Sequence, residues 1–319
     1  MKTASGRSDG IAWILAEPLA LVKGRELSCE EGGSLVILVT GAGGNCGREL
    51  LRQLTDAGVP HRAGYSTSVK AEDARSRGID AVVADFRQTA TLGPALRGIE
   101  SLFLLSGWSP DQTQIETNLV REAKRAAVRH IVKLSVWDAG AEQFSFARIH
   151  RPVELEIEAS GIPWTILRPN GFMQNVSNFL ASTIRGQSTL YAPSIQVPIS
   201  HVDVRDVARV AAIALTRAGH EGRTYELSGP SALTYRQMAS TLTDTLGRGI
   251  SCVEVPLGEL GASMVRAGAP SAYADAVVDL TRYYSEGHAA RISPDIKNVT
   301  GVDPTPFDQF VRDYIAAFH

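Results

Sequence analysis

Between Ser34 and Leu51 the chain reads SLVILVTGAGGNCGRELL, and no other stretch limits the possible folds as strongly. Leu35 to Val39 is a short apolar run, rich in β-branched residues and bounded by glycine, the pattern of a strand buried on both faces of a parallel sheet. It enters a turn carrying Gly41, Gly43, Gly44 and Gly47, then a helical pattern whose apolar positions include Leu50, Leu51 and Leu54. Gly41 suits the tight turn, Gly44 lets the backbone approach a diphosphate, and Gly47 lets the helix lie close against the strand. The helix start offers unpaired N–H groups and a partial positive charge to an anion. The spacing is G-x-x-G-x-x-G, with Cys46 standing where the commoner G-x-G-x-x-G places its last glycine. A strand before it and a helix after it make a dinucleotide site the favoured reading over a glycine-rich turn without a ligand.

Of the 319 residues 44% are apolar and 21% charged, the balance of a globular protein with a substantial core. A formal net charge of −2 gives nucleic acid no electrostatic reason to bind. Cys29, Cys46 and Cys252 are scattered and form no C-x-x-C pair, which argues against a disulfide framework and against a metal site, and suits a reducing cytoplasm. The apolar segment from Ile11 to Val22 is broken by Glu17 and Pro18 and is too short to span a bilayer. Lys2 and Arg7 precede it as in a secretory leader, but Lys23-Gly24-Arg25-Glu26 stands where small cleavage-site residues belong. Residues 1–33 therefore read as a poorly ordered extension, and no membrane partner is expected.

Beyond the first helix, Gly58 is a helix stop and Pro60 to Tyr65 a second strand. In a nucleotide fold of this kind an acidic residue at the end of that strand holds the ribose hydroxyls of NAD. The residues there are Gly64-Tyr65-Ser66-Thr67-Ser68 with Lys70 nearby and no carboxylate before Glu72. Ser66 and its hydroxyl-bearing neighbours favour NADP, with NAD possible; Lys70 reads equally as part of a polar surface loop. Gly78 to Asp85 is a third strand, after which Asp85 either reaches the adenine amine beside the Phe86 ring or caps the next turn. Strands follow at Ser101 to Leu105, His130 to Val136 and Trp164 to Leu167, separated by helices at Leu92 to Leu96, Gln112 to Ala127 and Ala147 to Ser160. This alternation specifies α/β architecture, a Rossmann doubly wound parallel sheet. Trp108, in the loop leaving the 101–105 strand, is a candidate wall of the site because ligands of open α/β sheets bind at the carboxyl ends of the strands.

From Pro169 the pattern loosens. Residues 34–170 read as the NAD(P)-binding domain, and 171–319 mainly as a smaller C-terminal α+β substrate lobe with some elements returning to the core. Strand-like stretches lie at Tyr191 to Val204, Thr224 to Leu227 and Ile250 to Val255. Helices are expected at Asp206 to Leu215, from Thr234 as cap to about Leu246, and around Leu257 to Ala267, Ser271 to Glu286 and Pro306 to Phe318.

VTGAGGNCG at 39–47, HIVKLSV at 130–136, SGIPWTILRPNGFMQN at 160–175, VDVRDVARVAA at 202–212 and YELSGPSALTYRQMA at 225–239 resemble the NmrA-like branch of the atypical short-chain dehydrogenase/reductases. The resemblance spans roughly residues 34 to 318, and LRPNGFMQN is its most specific piece. It implies a Rossmann domain binding NAD(P)H and a small substrate lobe, in a family of quinone, triphenylmethane-dye and ergot-type iminium reductases that also includes NADP-sensing regulators. By position it implies the diphosphate loop at Gly41, Gly44 and Gly47, with Asn45 and Cys46 adding backbone contacts. Asp85 and Phe86 match the adenine side, and Leu105, Ser106 and Gly107 the loop over the cofactor ribose. Pro169, Asn170 and Phe172 match the turn beside the nicotinamide. Ser66 departs from the arginine that NADP-preferring relatives often carry.

Short-chain dehydrogenases that oxidise alcohols pair a tyrosine with a lysine four residues later, and no lysine of this chain has such a tyrosine. On the corresponding helix His150 and Glu154 stand one turn apart. They read either as a proton donor held charged by its carboxylate or as a helix-surface ion pair. Hydride transfer to a quinone, iminium or conjugated carbonyl asks the protein mainly for orientation and a dry apolar pocket, which Trp108, Trp137, Phe172 and Met173 could line unless they are plain core. His201 could likewise face the cleft or serve structure alone. The reading is an NAD(P)H-dependent, cytoplasmic reductase of a small apolar electron-poor acceptor. Its alternative is a non-catalytic NADP(H) sensor acting through a protein partner.

Overall fold

The run at the start of the glycine motif forms β1 (Ile37–Val39), whose three side chains are fully buried. In the computed structural model, which describes residues 35–319, the alternation continues through α1 (Asn45–Asp56), β2 (His61–Tyr65), α2 (Ser68–Ser76), β3 (Ala81–Val83), α3 (Leu92–Leu96) and β4 (Ser101–Leu104). It goes on through α4 (Gln112–Arg125), β5 (His130–Leu134), α5 (Ser145–Ala159) and β6 (Trp164–Pro169). The extension expected over residues 1–33 lies outside the described residues.

The second half contributes α6 (Ala181–Gln187), β7 (Thr189–Ala192), α7 (Val204–Thr216), β8 (Arg223–Leu227) and α8 (Tyr235–Leu246). It ends with β9 (Ser251–Glu254), α9 (Leu257–Arg266), α10 (Ser271–Tyr283), α11 (Asp295–Thr300) and α12 (Phe307–Asp313).

Seven strands form one parallel sheet in the order β3-β2-β1-β4-β5-β6-β8. Side chains alternate across it. Ile37 and Val39 join Leu50 and Leu54 of α1 and the apolar stripe of α7 on one face. Leu38 meets Leu92, Leu119 and Val153 of the three helices on the other. Burial of both faces is why β1, β4 and β5 read as continuous apolar runs. The strand order reverses between β1 and β4, and Val39 stands level with both Ala63 of β2 and Phe103 of β4. The loops leaving these strands thus open at one height, which places a crevice at the reversal.

The second half is shared between the main sheet and a second apolar core. β8 is the seventh strand of the main sheet, paired with β6 from Thr165↔Arg223 to Pro169↔Leu227, and α7 packs on α1. The remaining elements build a smaller core in which Met173, Ile184, Leu190 and Met238 surround Phe307 and Phe310, beside the two-stranded sheet β7–β9. Of the strand-like stretch at 191–204, only Tyr191 and Ala192, the end of β7, are regular strand; Pro193 and Pro198 break the rest, which is tied by the single bridges Phe172↔Val202 and Ile199↔Leu233. α11 has no counterpart among the expected helices because six residues are too few to show a period. The expected N-terminus of α8 is present as a capping box, Thr234 and Gln237 each bonding the other's backbone N–H.

Candidate active site

Gly41 and Gly47 meet at the top of β1. Gly41 has φ +63°, and a Cβ there would strike the Leu105 side chain at 2.7 Å. A Cβ on Gly47 would lie 2.2 Å from the Gly41 carbonyl oxygen. The turn closes through Gly44 N–H donating to Gly41 O at 2.9 Å. Thr40 staples it to the neighbouring strand, accepting from Leu105 N–H and donating to the Phe103 carbonyl, each at 2.9 Å. The N-cap Gly44 offers α1 no side-chain cap, and its first turn holds no acid. Its leading N–H groups are therefore free for an anion, with the helix dipole behind them. Gly43 has only Tyr65 within 4 Å of a would-be Cβ, so the turn faces open space.

That space is a cleft of about 700 Å³, within the range of cofactor sites. It gathers Gly41, Gly43, Gly44, Asn45 and Cys46 from the turn and Ser66 from the end of β2. It also gathers Asp85 and Phe86 beyond β3, then Leu105, Ser106, Gly107 and Trp108 beyond β4, and Phe172. Gly47 is beneath the turn, not in the wall.

The packing of several side chains selects one of the readings open to them or replaces the expected role. Asp85 caps its own turn: its carboxylate accepts from Arg87 N–H at 3.0 Å and from the Gln88 amide at 2.9 Å. Phe86 is 6% exposed and belongs largely to the core below the cleft. Asn170 lies outside the wall and is buried, its amide donating to Ser200 Oγ and Ala289 O. Pro169 is the end of β6, its carbonyl accepting from Trp137 N–H. Trp137 is fully buried and donates its indole N–H to His288 O, while Met173 is part of the C-terminal core. Of the four proposed pocket-wall residues, Trp108 and Phe172 line the cleft, and Trp137 and Met173 do not.

The pairing expected of His150 and Glu154 is absent. Glu154 is fully buried and taken by others: Arg168 bonds both its oxygens at 3.0 and 2.6 Å, with Ser135 Oγ at 2.5 Å and Arg151 at 2.9 Å. Burial alone would raise its pKa, but Arg168 and Ser135 outweigh it and hold the carboxyl below its usual range. Neither a surface pair nor a charged donor results. His150 is buried with Nδ1 unpartnered, and desolvation, helped by the Lys133 charge, keeps its imidazole well below its ordinary range. It is neutral at pH 7. Burial pushes the Cys46 thiol up to about 12, with Glu49 adding to the effect, so it stays protonated. His201 is buried against Gly171 and Tyr235 and is pushed down to about 4 by burial.

Arg87 and Tyr65, which the sequence reading did not single out as site residues, also line the cleft. Arg87 clamps Asp111 through two bonds of 2.8 and 2.6 Å, tying the loop after β3 to the one after β4. Tyr65 and Lys70 stand where the cleft adjoins a second groove that also takes in Arg48. The Trp108 ring leans on Tyr273 of α10 at 5.1 Å. Beneath Ser106 lie a fully buried glutamate and lysine, Glu116 and Lys133, 3.0 Å apart. Their only sequence signal was a lone charge inside the apolar strand HIVKLSV. Among the described residues no group of three or more metal-ligating side chains is assembled, and no helix is long and apolar enough to cross a membrane.

A sheet that reverses between β1 and β4, with a glycine turn and a bare helix start in the crevice, defines a dinucleotide-binding α/β protein of Rossmann type. The sequence profile of the NmrA-like family matches residues 34–310, and the chain belongs to that family. It is 33% identical over 286 residues to the NAD(P)H azoreductase of Xenophilus azovorans, covering 89% of this chain and 99% of that protein. It is 36% identical over 287 residues to the (4-alkanoyl-5-oxo-2,5-dihydrofuran-3-yl)methyl phosphate reductase of Streptomyces griseus subsp. griseus, with coverage of 89% and 99%. The crystal structure of the NADPH-dependent quinone oxidoreductase QOR2 of Escherichia coli with NADPH superposes with a TM-score of 0.77 at 28% identity, over 88% of this chain and 100% of that one.

Proposed function

We propose that this chain is an NAD(P)H-dependent reductase, with NADPH favoured, of a small, flat, electron-poor acceptor such as a quinone, an iminium or a conjugated carbonyl. The observation that carries the reading is the uncapped, acid-free first turn of α1 facing a cleft of about 700 Å³. The residues fit a dinucleotide. The N–H groups of Asn45 and Cys46 would take the diphosphate, and Gly41, Gly43 and Gly44 leave it room. Ser66 and Lys70 are the polar groups available to a 2′-phosphate. Asp85 and Phe86 border the adenine side, and Leu105, Ser106, Gly107 and Phe172 the nicotinamide side. When bound, NADPH supplies a hydride.

The chain's own part is to orient the acceptor and to exclude water, for which Trp108 and Phe172 offer flat apolar walls. None of the three candidate groups offers a proton: His150 and Glu154 lie outside the cleft wall, one neutral and the other taken by Arg168, and Cys46 holds its proton. The proton that completes reduction then comes from water. A reducing cytoplasm, where NADPH is maintained, is the compartment this reading requires.

The test follows NADPH absorbance with a panel holding a small quinone, an azo dye and an unsaturated lactone. Consumption coupled to acceptor reduction supports the reductase. Tight NADP binding with no turnover on any acceptor refutes it and leaves an NADP sensor with a protein partner. His150→Gln is expected to keep kcat within about twofold, since a neutral imidazole contributes little as an acid at pH 7; a loss of a hundredfold would return His150 to the mechanism.

A further inference from the structure

Ser106 lines the cleft, and its hydroxyl donates to Glu116 Oε1 at 2.7 Å. The same oxygen accepts from the Gln112 amide at 3.3 Å. The other oxygen, Oε2, faces Lys133 Nζ at 3.0 Å, and that ammonium also donates to the Leu134 carbonyl. Both charged side chains are fully buried, one on α4 and one on β5. Removing two such ions from water costs several kcal/mol each, and apolar replacements of similar volume are often no less stable. Stability is thus a weak reason for the pair, whereas its effect on Ser106 is specific.

A serine hydroxyl has one proton and two lone pairs. With the proton directed at a carboxylate, Ser106 has only acceptor capacity left for the cleft. Lys133 Nζ, 3.0 Å from the other oxygen, supplies the counter-charge to that buried carboxylate. We propose that Glu116 and Lys133 are positioning residues that hold Ser106 as an obligate hydrogen-bond acceptor for a ribose hydroxyl of the dinucleotide. The same geometry bars Ser106 from donating a proton to the substrate. This rests on the reductase reading only in needing a bound dinucleotide.

The experiment measures NADPH dissociation constants by calorimetry, with thermal unfolding as the control for folding. Ser106→Ala is expected to weaken binding about three- to tenfold, the worth of one hydrogen bond. Replacing both charges avoids stranding either. The double variant Glu116→Gln with Lys133→Met keeps a carbonyl oxygen for the serine proton and is expected to bind within about twofold of the parent. Glu116→Leu with Lys133→Met removes that acceptor and frees the hydroxyl to rotate, and is expected to bind more weakly than the glutamine variant but no more weakly than Ser106→Ala. Adding Ser106→Ala to that background should then cost less than it does in the parent, because the positioning of the hydroxyl is already lost. A merely structural role would move unfolding temperature and affinity together and would not separate the glutamine from the leucine variant. Unchanged affinity in Ser106→Ala overturns the proposal even if the double variants fail to fold. Absence of NADPH binding by the parent protein would instead overturn the reductase reading.

Discussion

Gly47→Ala sets two effects of opposite sign against each other. Gly47 lies in the first turn of α1, where alanine is the better helix former by about 1 kcal/mol. Against this, the added Cβ would meet the Gly41 carbonyl oxygen at 2.2 Å, its carbon at 2.7 Å and Ala42 Cα at 2.9 Å, all backbone atoms with no rotamer to yield. Restoring an ordinary contact of about 3.3 Å requires the turn to move by about 1 Å. That strains the Gly44-to-Gly41 hydrogen bond, costing about 0.5–1.5 kcal/mol, on top of about 1–3 kcal/mol for overpacking. The net destabilisation is about 0.5–3.5 kcal/mol, a fall in Tm of roughly 1–7 °C for a chain of this size. The larger effect falls on the cofactor. A shift of 1 Å takes at least one amide out of reach of the diphosphate, and a bond to a charged group is worth about 1.5–3 kcal/mol, so Kd for NADPH should rise at least tenfold. Gly186→Ala in α6 is the matched control, since a Cβ there meets nothing within 4 Å; it should leave Kd unchanged and raise Tm by about 1–2 °C. Differential scanning fluorimetry and calorimetry read both quantities. A Gly47→Ala protein that melts with the parent and binds NADPH within twofold of it would refute this account of the turn.

Acid should weaken the fold through its buried histidines. His201 is pushed down to about 4 from an ordinary 6.5, so below pH 6.5 the unfolded chain takes up a proton that the folded one refuses. Its stabilisation is complete above pH 6.5 and is lost as pH falls toward 4, by about 2 kcal/mol at pH 5, and His150 acts in the same direction. An NMR titration should place the His201 midpoint near 4, and a midpoint near 6.5 would refute its burial. Lys70→Ala should weaken NADPH about three- to tenfold and NADH hardly at all, with the difference shrinking as salt rises; equal losses for both cofactors would remove Lys70 from the 2′-phosphate.

The parts of this protein legible in one dimension are those governed by near neighbours along the chain. The run at 35–39, the spacing of Gly41, Gly44 and Gly47, and the helix cap at Thr234 each depend on backbone geometry within a few residues, so periodicity and residue type suffice to read them. A parallel sheet of the six strands through β6 follows because buried strands alternating with helices have few other ways to cover both faces, whereas the seventh, β8, comes from the stretch read mainly as the substrate lobe.

What required the folded chain was the choice of partner. His150 and Glu154 stand one turn apart on α5, yet the carboxylate goes to Arg168 on β6, because a buried charge must find the nearest opposite charge in space. Trp137 and Trp108 are both aromatic residues at strand exits, but one is sealed under His288 and the other reaches the cleft. Ser106, Glu116 and Lys133 come from a loop, a helix and a strand, and nothing in their spacing announces that one proton joins the first two. Local chemistry selects elements over a few residues. Burial and charge pairing act across the whole core, where separation along the chain carries little information.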